Sequence, residues 1–237
     1  MTHHPCPYSD TLLPTLVEAC AGVSPIVNDV AVLLDPMAGS GKAAVIADRC
    51  GYRYVGVEIE QEWADEHPAT ICGDSTDLSW FREQYGFVEL IVTSPAYGGR
   101  FADQYLGTPA EQLHRAETGE MPRRRSYAIS LGRRLSKNSG AGTAFNRRYK
   151  LLHMAIIREC FATLAPGGRM VVNVSNFIKD HSEVHVVDWW RAEMVDAGFV
   201  EGDVVPVGTR RFKDGANRDA RVAAEYVITY TKPRDAA

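Results

Sequence analysis

Short apolar runs that end in turn residues alternate with stretches of helical length along most of the sequence. The runs are AVLLDP (31–36), RYVGVEI (53–59), ATICGDS (69–75), VELIVTSP (88–95) and GRMVVNVSN (168–176). Residues 42–50, 60–67, 76–85 and 149–164, between them, have helical length and composition. Strands of a parallel sheet are covered on both faces, so they read as continuous apolar runs. The β-α-β-α-β-α-β order therefore predicts an α/β fold, with a mostly parallel sheet and helices on both faces. A helix over 184–197 and two last extended runs, near 202–207 and 223–231, follow. Their connection, 208–221, is rich in Gly, Arg and Asp and suggests no crossover helix, so the runs predict a C-terminal antiparallel hairpin.

The alternation breaks once. Residues 98–146 carry no clear period and exceed the roughly 12–15 residues of an ordinary loop, which marks an insertion that is either functional or disordered. The expected organisation is one domain over 1–237 with an insertion at about 98–147. Charge concentrates at the same place. Residues 121–150 hold nine of the 26 Lys/Arg (Arg123, Arg124, Arg125, Arg133, Arg134, Lys137, Arg147, Arg148, Lys150) and no acid, leaving 17 basic against 30 acidic residues elsewhere. A basic block on an acidic body fits a polyanionic partner better than its alternative, a solvated loop.

Other classes are disfavoured. The N-terminal residues lack the basic and apolar regions of a signal peptide, and no apolar run approaches the roughly 18 residues that span a bilayer. A soluble, cytoplasmic protein without a membrane partner is expected. The five cysteines are scattered and odd in number, which argues for reduced, mostly buried thiols. His181 and His185 fall at a predicted helix start without the H-E-x-x-H arrangement, so no metal is expected.

LLDPMAGSGKAA (33–44) is a strand, a glycine-rich turn and a helix start, a backbone arrangement suited to a nucleotide-like ligand. A phosphate loop would need Gly at 36 and Ser/Thr at 43, where this chain has Pro36 and Ala43. A dinucleotide turn is matched by Gly39-Ser40-Gly41 but fits the preceding Asp35-Pro36 poorly. S-adenosylmethionine (SAM) suits the acids better: its sulfonium and amino group are cationic, and Asp35 stands at the strand tip. Glu58, ending the second strand, is placed for ribose hydroxyls. Asp74, ending the third, would accept from the adenine amino group or else cap the next helix.

These residues resemble the SAM-dependent DNA amino-methyltransferases, which modify adenine N6 or cytosine N4. Asp35-Pro36-Met37-Ala38-Gly39-Ser40-Gly41 is similar to the family's D-P-F-x-G-[ST]-G cofactor loop, and Ser94-Pro95-Ala96-Tyr97 to its [DNS]-P-P-[YFW] catalytic motif. HPCPYSDTLLPTL (4–16) is similar to a motif that begins His-Pro, with Tyr8 in the aromatic place. Further stretches resemble actinobacterial and phage-encoded members, which implies a bacterial or phage-infected cytoplasm. The resemblance implies a Rossmann-like SAM-dependent methyltransferase fold with SAM held by Tyr8, Asp35, Met37, Gly39, Ser40, Gly41, Glu58 and Asp74. It also implies double-stranded DNA as partner, with Arg123, Arg124, Arg125, Arg133, Arg134, Arg147 and Arg148 on its phosphates and base edges.

The catalytic task is specific. An exocyclic base amine is a weak nucleophile, and acceptors on its two hydrogens aim its lone pair at the methyl. Ser94 Oγ and the Pro95 carbonyl are the expected acceptors, with Tyr97 stacked on a flipped-out base. Ala96, where the family has a second proline, loosens the turn and removes no acceptor. Methylation of RNA or a protein glutamine, a non-catalytic DNA-binding module, and a nicotinamide-dependent oxidoreductase are the alternatives.

Overall fold

The computed structural model describes residues 8–99, 104–120, 126–208 and 222–234. After helix α1 (Leu12–Cys20), strands and helices alternate: β1 (Val32–Asp35), α2 (Ala44–Cys50), β2 (Arg53–Glu58), α3 (Gln61–Ala64), β3 (Thr70–Cys72), α4 (Ser79–Tyr85) and β4 (Val88–Thr93). The inserted segment holds α5 (Pro109–Thr118), α6 (Tyr127–Leu131) and a 3-10 turn, Gly140–Gly142. Then follow α7 (Arg147–Thr163), β5 (Leu164–Val174), the short hairpin β6 (Phe177–Lys179) and β7 (Ser182–Val184), α8 (Val186–Asp196), β8 (Val200–Gly208) and β9 (Ala224–Thr231).

Seven strands form one sheet in the order β3-β2-β1-β4-β5-β9-β8. Pairs from β3 to β5 are parallel, while β9 runs antiparallel to both β5 and β8, which is the expected hairpin. Alternate strand residues feed two cores. Val32, Leu34 and Ile91 pack with α4, α7 and α8, including Phe81, Ile156 and the fully buried Trp190. Leu33, Leu90 and Val92 pack under α1 and α2 with Leu16 and Ile46. Successive side chains of a strand point to opposite faces, so a strand buried on both sides must be apolar throughout.

The chain leaves β1 towards β2 and β3, then returns to place β4 on the other side of β1. Strand order thus reverses at the carboxyl ends of β1 and β4, where ligands of open α/β sheets bind. Asp35 and Ser94 stand at those two ends.

One expectation is corrected. His181 and His185 do not share a helix: Asp180 (φ 49°) and His181 (φ 61°) form the tight β6–β7 turn, and His185 precedes α8. The positive angles at both central positions match the twist of the flanking strands. Cys72 is exposed, while Cys20 and Cys160 are buried and Cys50 is intermediate. Among the described residues, no helix is long and apolar enough to cross a membrane.

Candidate active site at the sheet switch point

A cavity of about 490 Å³ opens over the ends of β1, β2 and β4. Its walls include eight of the eleven residues assigned to cofactor or catalysis: Tyr8, Asp35, Met37, Glu58, Asp74, Ser94, Pro95 and Tyr97. Gly39, Ser40 and Gly41 form the turn behind that wall. Positive φ at Gly39 (53°) and Gly41 (75°) lets the turn curl there. A side chain at Gly41 would also meet the His67 Cβ at 2.4 Å.

Asp35 is 3% exposed and accepts the Met37 N–H at 3.1 Å. Burial pushes its carboxyl up to about 7, against the Met37 hydrogen bond and with the charge of Glu58 adding to the rise. Glu58 takes two main-chain N–H groups, from Gly39 at 2.8 Å and Glu60 at 2.9 Å. Burial pushes it also to about 7, despite those bonds. Its first observed task is therefore to brace the glycine turn. Asp74 caps its own turn through the Thr76 N–H at 2.9 Å and hydroxyl at 2.7 Å, and its other oxygen accepts from Asn138 Nδ2 at 2.7 Å.

The described part of the insertion forms a wall of this cavity. Its base is closed where the Phe145 N–H donates to the Gly98 carbonyl at 3.0 Å, and a Cβ at Gly98 would lie 2.6 Å from that nitrogen. The fully buried Glu60 accepts from Ser136 N at 2.7 Å, Ser136 Oγ at 3.1 Å and Arg133 Nη2 at 2.8 Å. Trp63 and Tyr127 meet edge to face at 5.9 Å, and Ala96 packs against the cluster they form. A small residue at 96 accommodates those rings. Tyr127, Asn138, Ser139 and Gly140 line the cavity from the insertion.

Around Ser94-Pro95-Ala96-Tyr97 lie residues that sequence reasoning missed. Asn173, buried on β5, accepts from Ser94 Oγ and from the Tyr97 hydroxyl, each at 2.9 Å. The Tyr97 oxygen also lies 2.9 Å from Glu225 Oε2 on β9. Burial, with the Glu225 charge next, raises the Tyr97 hydroxyl well above its ordinary value. Asn176 and Phe177 complete this side of the cavity. A signal for Asn173 existed: an amide inside the apolar run VVNV needs a partner.

The basic residues divide. Arg133 is bound internally by Glu60 and Glu62. Arg134, Lys137, Arg147 and Arg148 are exposed, on the segment whose Asn138–Gly140 line the cavity. Lys150 lies 5.0 Å from the Phe145 ring centre. Arg123, Arg124 and Arg125 lie outside the described residues.

No family model matches the sequence, and no curated protein matches it. Solved structures do resemble the fold. Precorrin-6y C5,15-methyltransferase from Geobacter metallireducens has a TM-score of 0.52 at 11% identity, over 98% of this chain and 93% of that one. The [4+2]-cyclase SpnF has 0.52 at 13%, over 94% and 80%. TrmN from Thermus thermophilus has 0.49 at 15%, over 93% of this chain; the chain spans 48% of its length. At such identities the likeness shows the fold alone, a Rossmann-like SAM-dependent methyltransferase fold. A cyclase among the neighbours makes the reaction a question for the site.

Proposed function

We propose that the chain is a SAM-dependent methyltransferase acting on an exocyclic base amine, cytosine N4 or adenine N6, of double-stranded DNA. The observation that carries this reading is the hydroxyl of Ser94, whose hydrogen goes to Asn173 while Ser94 itself lines the cavity with Asp35. Its lone pairs are left for a hydrogen-bond donor.

The residues fit the cofactor. The cavity falls in the ~300–1,000 Å³ range of small-molecule sites. Asp35 and Glu58 are carboxyls held near neutrality by burial, which a cationic ligand would relieve. Asp35 would hold the amino group, Glu58 the ribose, and Met37, Tyr8 and Asp74 the flanks of the nucleoside. When bound, SAM supplies an electrophilic methyl group. Ser94 Oγ and the Pro95 carbonyl then hold the two amine hydrogens, and Tyr97 fixes the plane of the extruded base. Asn173 is a neutral amide and takes no proton, so the proton of the methylated amine leaves to water.

The exposed Arg134, Arg147 and Arg148 support a polyanionic substrate, with Arg123 to Arg125 adding to them in sequence. Incubation with methyl-labelled SAM and mixed-sequence DNA or RNA tests the reading. Label is expected in DNA as N4-methylcytosine or N6-methyladenine. Label in RNA alone would move the substrate to RNA, and DNA binding without transfer would leave a non-catalytic module.

A further inference from the structure

Asn173 is fully buried in β5, between Val172 and Val174. A buried amide costs free energy unless both its ends are satisfied, so its contacts state what it is for. Oδ1 accepts from Ser94 and Tyr97 at 2.9 Å each, and Nδ2 faces the Tyr226 carbonyl at 3.4 Å. That last contact sets the sense of the amide. Turned over, it would bring Oδ1 against the Tyr226 carbonyl oxygen, an acceptor facing an acceptor.

A serine hydroxyl has one hydrogen and two acceptor sites, so a free one binds an oxo group as readily as an amine. Ser94 does not have that freedom. Its hydrogen goes to Asn173, with the Tyr97 oxygen as a second partner of that hydroxyl, and the Tyr97 hydrogen is engaged between Asn173 and Glu225. We infer that Asn173 is a positioning residue that sets substrate class: by holding the Ser94 hydrogen it makes this wall of the cavity accept only. An amino-bearing pyrimidine or purine edge is then matched, and a base presenting an oxo group there meets lone pairs on both sides. The discrimination comes from polarity, which separates donor from acceptor far better than shape does. It rests on the amino-methyltransferase reading above.

Replacement by aspartate separates this role from packing. The carboxylate of Asn173→Asp still accepts the Ser94 hydrogen at high pH. Once protonated it can donate from its other oxygen to the Tyr226 carbonyl, as the amide does, and still accept that hydrogen, whereas the similarly sized leucine of Asn173→Leu offers Ser94 no acceptor. Tyr97 after β4 and Glu225 on β9 are the titratable groups facing the amide, Asp35 lines the same cavity, and all three are common to both chains.

The experiment measures kcat at saturating SAM, and KM for SAM, from pH 5 to 9, using labelled SAM with mixed-sequence DNA and RNA. Asn173→Ala is expected to lose at least tenfold in kcat with KM for SAM within twofold. Asn173→Asp is expected to keep transfer, most fully at low pH where its acid can donate to Tyr226, and Asn173→Leu to lose it as Asn173→Ala does. S-adenosylhomocysteine binding checks that each variant is folded, and the near-isosteric aspartate serves if alanine is not. An active unaltered chain whose kcat is matched by folded Asn173→Leu overturns the inference alone. Absence of transfer to either nucleic acid by the unaltered chain overturns the amino-methyltransferase reading and this inference with it.

Discussion

The main-chain N–H and the hydroxyl of Ser136 both donate to the carboxylate of Glu60, at 2.7 and 3.1 Å, across 76 residues of sequence. Glu60 in turn donates its own N–H to Glu58, which holds Gly39 of the cofactor turn. One buried carboxylate therefore fixes the insertion beside the turn.

Glu60→Ala should release that wall. Here Arg133 keeps Glu62, so the loss falls on the placement of residues 133–142. Hydrogen exchange should rise in that segment, and S-adenosylhomocysteine affinity should drop at least fivefold. Exchange unchanged from the parent chain would show that Trp63 and Tyr127 hold the insertion unaided.

Cofactor affinity should rise with pH. Asp35 and Glu58 both stand near 7, each raised chiefly by burial. Raised carboxyls contribute stability that is fully present below their unfolded values, near 4, and lost as pH rises through about 7. The ligand-free chain loses that contribution between pH 5 and 8, and a cationic ligand, which favours the ionised form, binds more tightly over the same range. Calorimetry in buffers of different ionisation heat should show proton release on binding near pH 7. Asp35→Asn should reduce that release and weaken SAM binding at least tenfold.

Glu89 supplies the opposite sign at the other end of the sheet. It is fully buried and accepts N–H groups from Ile26, Val27, Asn28 and Val32 at 2.9–3.1 Å. Burial would raise its carboxyl, but those donors and the Asn28 side chain outweigh it and leave the value depressed. Its contribution is present above the unfolded value and lost as pH falls through the folded one. Glu89→Ala should destabilise by about 2–4 kcal/mol, several degrees in melting temperature. SAM binding by the folded fraction should not change, since Glu89 lies away from the cavity.

The sheet was legible because its central strands β1, β2, β4 and β5 are buried on both faces over most of their length and so announce themselves as apolar runs. That Asp35, Met37 and Glu58 would meet at one cavity was legible for a related reason: they stand on and beside a glycine turn between a buried strand and a helix. What sequence did not reveal depends on distant pairing. Nothing local to Glu225 or Ser136 tells which group each will meet. One signal was present and unread: Thr108-Pro109-Ala110-Glu111 is a capping box with Pro at the first helical position, and α5 starts there. α5 buries no residue and carries a single large apolar side chain, the exposed Leu113, which hid the helix from a search for apolar spacing.

The arginines of the basic block should separate by experiment as they do in the structure. An arginine that neutralises a phosphate releases counterions, so its loss lowers the slope of log affinity against log salt by about 0.9 for duplex DNA. Arg147 and Arg148 are exposed where α7 begins, so replacing both with alanine should weaken DNA binding and flatten the slope by roughly two such steps. Arg133 is spent on Glu60 and Glu62, so Arg133→Ala should leave the slope nearly unchanged while loosening the insertion and weakening S-adenosylhomocysteine. Equal slopes for the parent and the Arg147/Arg148 variant would remove the start of α7 from the interface. A flattened slope for Arg133→Ala would mean that its ion pairs open when nucleic acid arrives, exchanging two carboxylates for phosphate.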